Sequence, residues 1–124
     1  MGMKLLYPDW KNTVITRSHR LGRSGERAAA RYLESLGWQI LAANVRYSVG
    51  EIDLIARDDA TIVFVEVKTR STPNYGSIES ITPLKLKRMR KAAVLWLRDK
   101  PYKDVRFDVI TIVGAQLEHF EAVA

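Results

Sequence analysis

The pattern of hydrophobic residues predicts an α/β fold, a mixed sheet of four to five strands flanked by two helices. Three observations predict it. Two segments repeat apolar residues at helical spacing, and four or five others are apolar stretches of strand length. Their order is helix, three strands, helix, one or two strands. Three strands in succession form an antiparallel meander, and the second helix then carries the chain across to the last strand.

Residues 1–20 show neither period and mix Pro8, Asn12 and Ser18 with basic residues, so they read as a poorly ordered arm before a single domain at 21–124. From Ser24 to Leu36, Ala29, Leu33 and Leu36 recur on one side, and Gly37 is a natural stop. Trp38 to Val45 reads as a strand closed by Asn44 and the polar residues after it. In Glu51 to Arg57 the alternation points Glu51, Asp53 and Ile55 one way, and Ile52, Leu54 and Ala56 the other.

Asp58-Asp59-Ala60 is a turn, and Thr61 to Thr69 is the most strand-like segment of the chain. Ser71 to Pro83 carries Pro73, Asn74, Gly76 and Pro83 and reads as a long loop, a length often tied to function. Leu84 to Arg98 is the second helix, with Leu86, Met89, Ala93, Trp96 and Leu97 as its apolar stripe. Val105 to Val113 is a fourth strand, and Gln116 to Val123 a candidate fifth.

Composition narrows the chemistry. The chain has 124 residues, no cysteine and two histidines, His19 and His119. Disulfides, thiolate-bound metals and cysteine catalysis are excluded, and a histidine-rich metal site is disfavoured. A metal held here would be held by carboxylates, which suits Mg²⁺ or Mn²⁺. A net charge of +6 favours polyanionic partners, nucleic acid before membrane. The opening Met1-Gly2-Met3-Lys4-Leu5-Leu6 is too short for a signal peptide, and no run reaches the ~18 apolar residues of a membrane helix, so a cytoplasmic protein is expected.

The strongest chemical signal is Val65-Glu66-Val67-Lys68 within an apolar strand. Ionised groups are costly to bury unless paired or metal-bound, and Glu66 and Lys68 share a face because the side-chain period of a strand is two. A half-exposed strand with a weak Glu–Lys pair would look the same. The preceding strand shifts the balance. If the turn closes a two- or four-residue hairpin, Asp53 falls opposite Glu66 and Glu51 opposite Lys68. Opposed side chains lie about 5 Å apart at Cβ, where two carboxylates repel unless a cation or proton intervenes. An odd-length loop would instead put them on opposite faces.

Glu26 lies on the apolar side of the first helix, aimed at the sheet, although an acid in a first helical turn also simply complements the helix dipole. Lys85, Lys87, Arg88, Arg90 and Lys91 crowd the start of the second helix, with Arg70 before the loop and Arg46 and Tyr47 near the same end of the meander. Such a cluster suits sequence-independent phosphate contacts, or forms an ordinary solvated face. Trp96 reads as core, and Asp108 as a strand residue without an assigned role.

Gly25-Glu26-x-Ala28-Ala29, Gly50-Glu51-Ile52-Asp53-Leu54-Ile55 and Phe64-Val65-Glu66-Val67-Lys68-Thr69-Arg70 together resemble the signature of the bacterial YraN family. Its members are small proteins predicted to be endonucleases, similar to archaeal Holliday-junction resolvases within the PD-(D/E)XK superfamily. The resemblance runs from about Gly22 to the C-terminus, with Ile52 where the superfamily usually has proline before the aspartate. It implies a restriction-endonuclease-like core and a Mg²⁺- or Mn²⁺-dependent endonuclease. Asp53 and Glu66 would ligate the metal, Lys68 would orient or activate water, and Glu26 would support the metal's water shell. Glu51 is an accessory candidate. DNA, branched DNA especially, and a homodimer are the implied partners. The alternatives are a nucleic-acid-binding protein of the same fold that does not cut, a component of a larger DNA-processing complex, or an interaction module with a structural Glu66–Lys68 pair.

Overall fold

A computed structural model describes residues 20–70, 81–102 and 104–124, with the side chains of residues 20–24 and 70 outside the description. The elements are α1 (Arg20–Ser35), β1 (Gln39–Tyr47), β2 (Gly50–Asp58), β3 (Thr61–Arg70), α2 (Pro83–Leu97), β4 (Asp104–Val113) and β5 (Gln116–Phe120). The expected arm at 1–20 falls outside the described residues but for Arg20, where α1 begins, and most of the expected loop at 71–83 is outside them too.

The five strands lie in chain order in one mixed sheet. β1, β2 and β3 form the antiparallel meander, β3 and β4 are parallel, and β4 returns through Gly114-Ala115 as a hairpin with β5. A parallel neighbour requires a crossover, and α2 supplies it. The helices cover opposite faces. Ala29, Ala30 and Leu33 of α1 pack on Leu54, Ala56, Val63, Val65 and Ile110. Met89, Ala92 and Ala93 of α2 pack on Ile55, Ile62, Phe64 and Phe107. This is a restriction-endonuclease-like α/β architecture.

Local chemistry explains the element ends. Gly37 closes α1 with φ +91°, the Trp38 N–H bonding Leu33 O at 3.1 Å and the Gly37 N–H bonding Glu34 O at 2.9 Å. That pair of bonds is a Schellman motif, with Trp38 and Leu33 in its hydrophobic contact. Leu36, expected on the apolar stripe, falls past the last helical turn and is 46% exposed; Ala30 takes its place in the core. α2 begins at Pro83 behind Thr82, whose hydroxyl accepts from the Lys85 N–H at 3.1 Å. Trp96 packs edge-on against Phe64, as a core residue should.

The β2–β3 hairpin turns on Asp59 and Ala60, Asp59 taking φ +57°. The two-residue loop gives the even register, with Leu54 opposite Val65 and Asp58 opposite Thr61. Among the described residues no helix is long and apolar enough to cross a membrane.

Candidate active site

The regular pairing of β2 with β3 ends at Leu54 and Val65, one step before Asp53 and Glu66 would meet. The β1–β2 ladder explains why. It runs Ala43–Leu54 and then Val45–Ile52, omitting the Asn44–Asp53 step between them. Asn44 takes φ +52°, a left-handed conformation that Asn tolerates better than most residues. Ala43 and Leu54 face α1, whereas Val45 and Ile52 pack on the α2 side with Ile55 and Met89. Strict alternation would put both pairs on one face, so the strands exchange faces at Asn44 and Asp53. The expected grouping of Ile52 with Leu54 and Ala56 is corrected accordingly. Asp53 is therefore free to turn toward β3, where its Oδ2 accepts the Val67 backbone N–H at 2.8 Å.

Four elements converge on this break. Glu26 arrives from α1, is 5% exposed, and its Oε1 accepts from Asn44 Nδ2 at 2.8 Å. Gly25 lets α1 come this close, because a Cβ there would overlap Thr69 Cγ2 on β3. Glu66 comes from β3 with a residue exposure of 3%. From the first turn of α2, Lys85 Nζ reaches Glu66 Oε2 at 2.9 Å. Lys68 follows Glu66 on β3, half-buried and in register with Thr111.

The carboxylates disturb one another. Burial is the main cause that pushes Asp53 well above the usual carboxylate range, and the Glu66 and Glu26 charges add to it against the Val67 N–H and Lys85. Burial also raises Glu26, opposed by the Asn44 hydrogen bond and reinforced by Glu66 and Glu51. Lys85 is drawn down by burial, but the Glu66 carboxylate outweighs that and holds its ammonium above the ordinary lysine value.

The remaining predicted residues separate into two groups. Arg46 pairs with Glu51 at 3.5 Å, both side chains half-exposed. Lys87, Arg88 and Lys91 stand exposed along α2. The Arg70 side chain is outside the description. Two roles escaped the reading of the sequence. Asn44 looked like a strand terminator, and its place as a lone amide in an apolar stretch was the available signal. Lys85 belongs, in the sequence, to the cluster suited to phosphate contacts; its pairing with Glu66 is what escaped, because nothing local distinguishes it from Lys87.

Asp108 has a role after all. It is fully buried and accepts Arg106 Nε at 2.9 Å, Arg106 Nη2 at 3.0 Å and the Ala122 N–H at 3.0 Å. His119 Nε2 lies 2.7 Å from Asp108 Oδ2, and His119 Nδ1 lies 2.9 Å from the Tyr32 hydroxyl. A ring protonated at Nε2 donates to Asp108 and accepts from Tyr32, which satisfies all three groups. Asp108, His119 and Glu121 are the group of acids and histidine, among the described residues, whose ligand atoms lie within 4.8 Å of one another and can hold a metal ion. The Glu26, Asp53 and Glu66 oxygens do not form such a group. Arg106, however, already occupies Asp108, and its Nη2 lies 3.7 Å from Glu121, so an ion there would have to displace a bidentate guanidinium.

Residues 25–112 match the profile of a family described as "Uncharacterised protein family UPF0102". A UPF0102 protein of Corynebacterium efficiens is 47% identical over 115 residues, covering 87% of this chain and 94% of its own. One from Mycolicibacterium gilvum is 43% identical over 113 residues, covering 83% and 92%. One from Nocardia farcinica is 43% identical over 122 residues, covering 90% and 96%.

Proposed function

We propose that this chain, which belongs to the UPF0102 (YraN) family, is a metal-dependent nuclease that hydrolyses phosphodiester bonds in nucleic acid, with DNA the favoured substrate. The observation that carries the reading is the convergence of Glu26, Asp53 and Glu66 where β2 and β3 part, with burial and mutual charge raising Asp53. A fold gains nothing from carboxylates that repel one another in its interior unless they await a cation.

The donor set fits a hard ion. It is all oxygen, the chain has no cysteine, and among the described residues Asp53 Oδ1 accepts no hydrogen bond. Asp53 and Glu66 would hold Mg²⁺ or Mn²⁺, with Glu26 steering the water around it. Such an ion, when bound, activates water and relieves charge on the phosphate. The chain's own groups do the rest. Val67 N–H fixes the rotation of Asp53, and Asn44 holds Glu26 toward the centre. Lys68, which shares a face of β3 with Glu66, would orient the attacking water and offset developing negative charge. Exposed Lys87, Arg88 and Lys91 supply the sequence-independent grip on the backbone.

A nucleic-acid-binding protein of this fold that does not cut, or that acts within a larger complex, is the second reading. It draws on the Lys85–Glu66 pair, which neutralises one acid without metal. Calorimetric titration of Mg²⁺ and Mn²⁺ into the wild type, Asp53→Ala and Glu66→Ala, with branched and linear DNA cleavage alongside, separates them. The nuclease reading expects binding and cutting in the wild type and neither in the variants. A wild type that binds neither ion sinks it.

A further inference from the structure

Between the β1–β2 turn and the start of α2 lies a cleft of about 470 Å³, lined by Arg46, Tyr47, Glu51, Thr82, Lys85 and Arg88 among others. Its walls meet closely, since a Cβ on Gly50 would lie 2.5 Å from the Arg88 carbonyl oxygen. Lys85 belongs to two environments at once. It lines the cleft, and its ammonium reaches through to Glu66.

Lys85 stands where a helix least welcomes it. A cation in the first turn opposes the helix dipole, and α2 has no acid in that turn to compensate. What holds the ammonium is Glu66, 2.9 Å away. The two partners are unequally fixed, because the Glu66 side chain is 4% exposed and that of Lys85 is 40% exposed. The lysine is the partner that can leave.

We propose that a divalent ion displaces Lys85 from Glu66, and that the cleft is a phosphate subsite for one strand of nucleic acid, completed when Lys85 turns into it beside Arg46 and Arg88. The inference rests on the nuclease reading. Before an ion arrives, the ammonium neutralises Glu66. An ion on Asp53 and Glu66 takes over that task and repels the ammonium at short range. With Lys85 turned in, the cleft carries three cations against the single carboxylate of Glu51, which already pairs with Arg46. The surplus positive charge favours a phosphate, so ion and strand favour each other's binding, and that coupling is reciprocal. The volume falls within the ~300–1,000 Å³ of pockets that hold one small ligand. For nucleic acid that is a nucleotide or two of a single strand, not a duplex.

The test uses the full chain. Mn²⁺ is titrated calorimetrically into the wild type, Lys85→Met and Lys85→Gln, with thermal melts to establish that each variant is folded. Both variants should bind Mn²⁺ about tenfold more tightly, because the ion no longer competes with an ammonium for Glu66. A short cleavage-resistant phosphorothioate single strand is then titrated with and without Ca²⁺. The wild type should gain more affinity from the ion than either Lys85 variant, and Arg88→Ala should weaken the strand while leaving ion binding unchanged. Equal or weaker Mn²⁺ binding in both folded Lys85 variants overturns the exchange alone. A wild type that binds no ion takes down the nuclease reading and the exchange with it.

Discussion

Two buried charge clusters sit on this sheet, and they are built on opposite plans. Around Asp108 every demand is met from within. Arg106 makes two hydrogen bonds, His119 and the Ala122 N–H complete the shell, and Tyr32 ties His119 to α1. Around Asp53, among the described residues, three carboxylates share hydrogen bonds from one ammonium, one amide and one backbone N–H. Satisfied buried charge holds elements together, here α1, β4 and β5. Unsatisfied buried charge is a cost to the fold, and the proposed function gives a reason for it.

Breaking the satisfied cluster should have the largest effect. Asp108→Asn leaves Arg106 partly buried without its carboxylate, and loss of one member of a buried pair costs about 3–5 kcal/mol. Urea denaturation should show that loss, and a change under about 1 kcal/mol would mean the network contributes little to the fold.

The close approach that delivers Glu26 comes next. Gly25→Ala drives a methyl into Thr69 Cγ2 and should cost about 1–3 kcal/mol, as overpacking does. Adding Thr69→Ser removes the clashing methyl and should restore part of it. If the double variant is no more stable than the single one, the contact does not set the helix position.

The acidic centre should respond with the opposite sign. Asp53→Asn keeps an acceptor for the Val67 N–H but removes a repelling charge, so the metal-free protein should gain on the order of 1 kcal/mol. Asp53 has a raised value in the folded state, so the stability its proton contributes is present below the ordinary carboxylate range. That stability is lost as the pH rises through the raised value. The advantage of Asp53→Asn should therefore be small in acid and grow toward neutrality. Saturating Mg²⁺ should reverse it by stabilising the wild type alone. A variant less stable than the wild type at neutral pH, without metal, would contradict the contrast between the clusters.

The smallest effect on the fold belongs to the exposed cations. Lys87→Ala and Lys91→Ala should change stability by less than about 0.5 kcal/mol. Each should lower the salt dependence of nucleic-acid binding by about one unit of slope. Unchanged slopes would leave these lysines as a solvated helix face.

Much of this was legible in the sequence because it depends on near neighbours. Alternation located β2 and β3, and the short turn at Asp59 and Ala60 set the register that pairs Leu54 with Val65, so that Asp53 and Glu66 follow where the pairing ends. The side-chain period of a strand is two, so parity survives small errors in strand ends. The three motifs around Glu26, Asp53 and Glu66 were equally legible, being contiguous stretches whose resemblance needs no coordinates. What failed was the facing of one residue at the place where the strands depart from strict alternation. Ile52 was assigned by strict alternation, and one residue at positive φ, Asn44, reversed it.

The amino-acid order by itself determined the elements, the hairpin register, the family and the choice of Glu26, Asp53 and Glu66 as candidates, because each follows from local periodicity or a contiguous motif. Tertiary structure alone decided that β2 and β3 part at Asp53, that Lys85 rather than a neighbouring lysine reaches Glu66, and that Asp108 is neutralised by Arg106 and hydrogen-bonded to His119. Each of those outcomes depends on how charges distant in sequence meet in a low-dielectric interior. There, a change of a few ångströms decides whether a buried acid is paired or left among like charges.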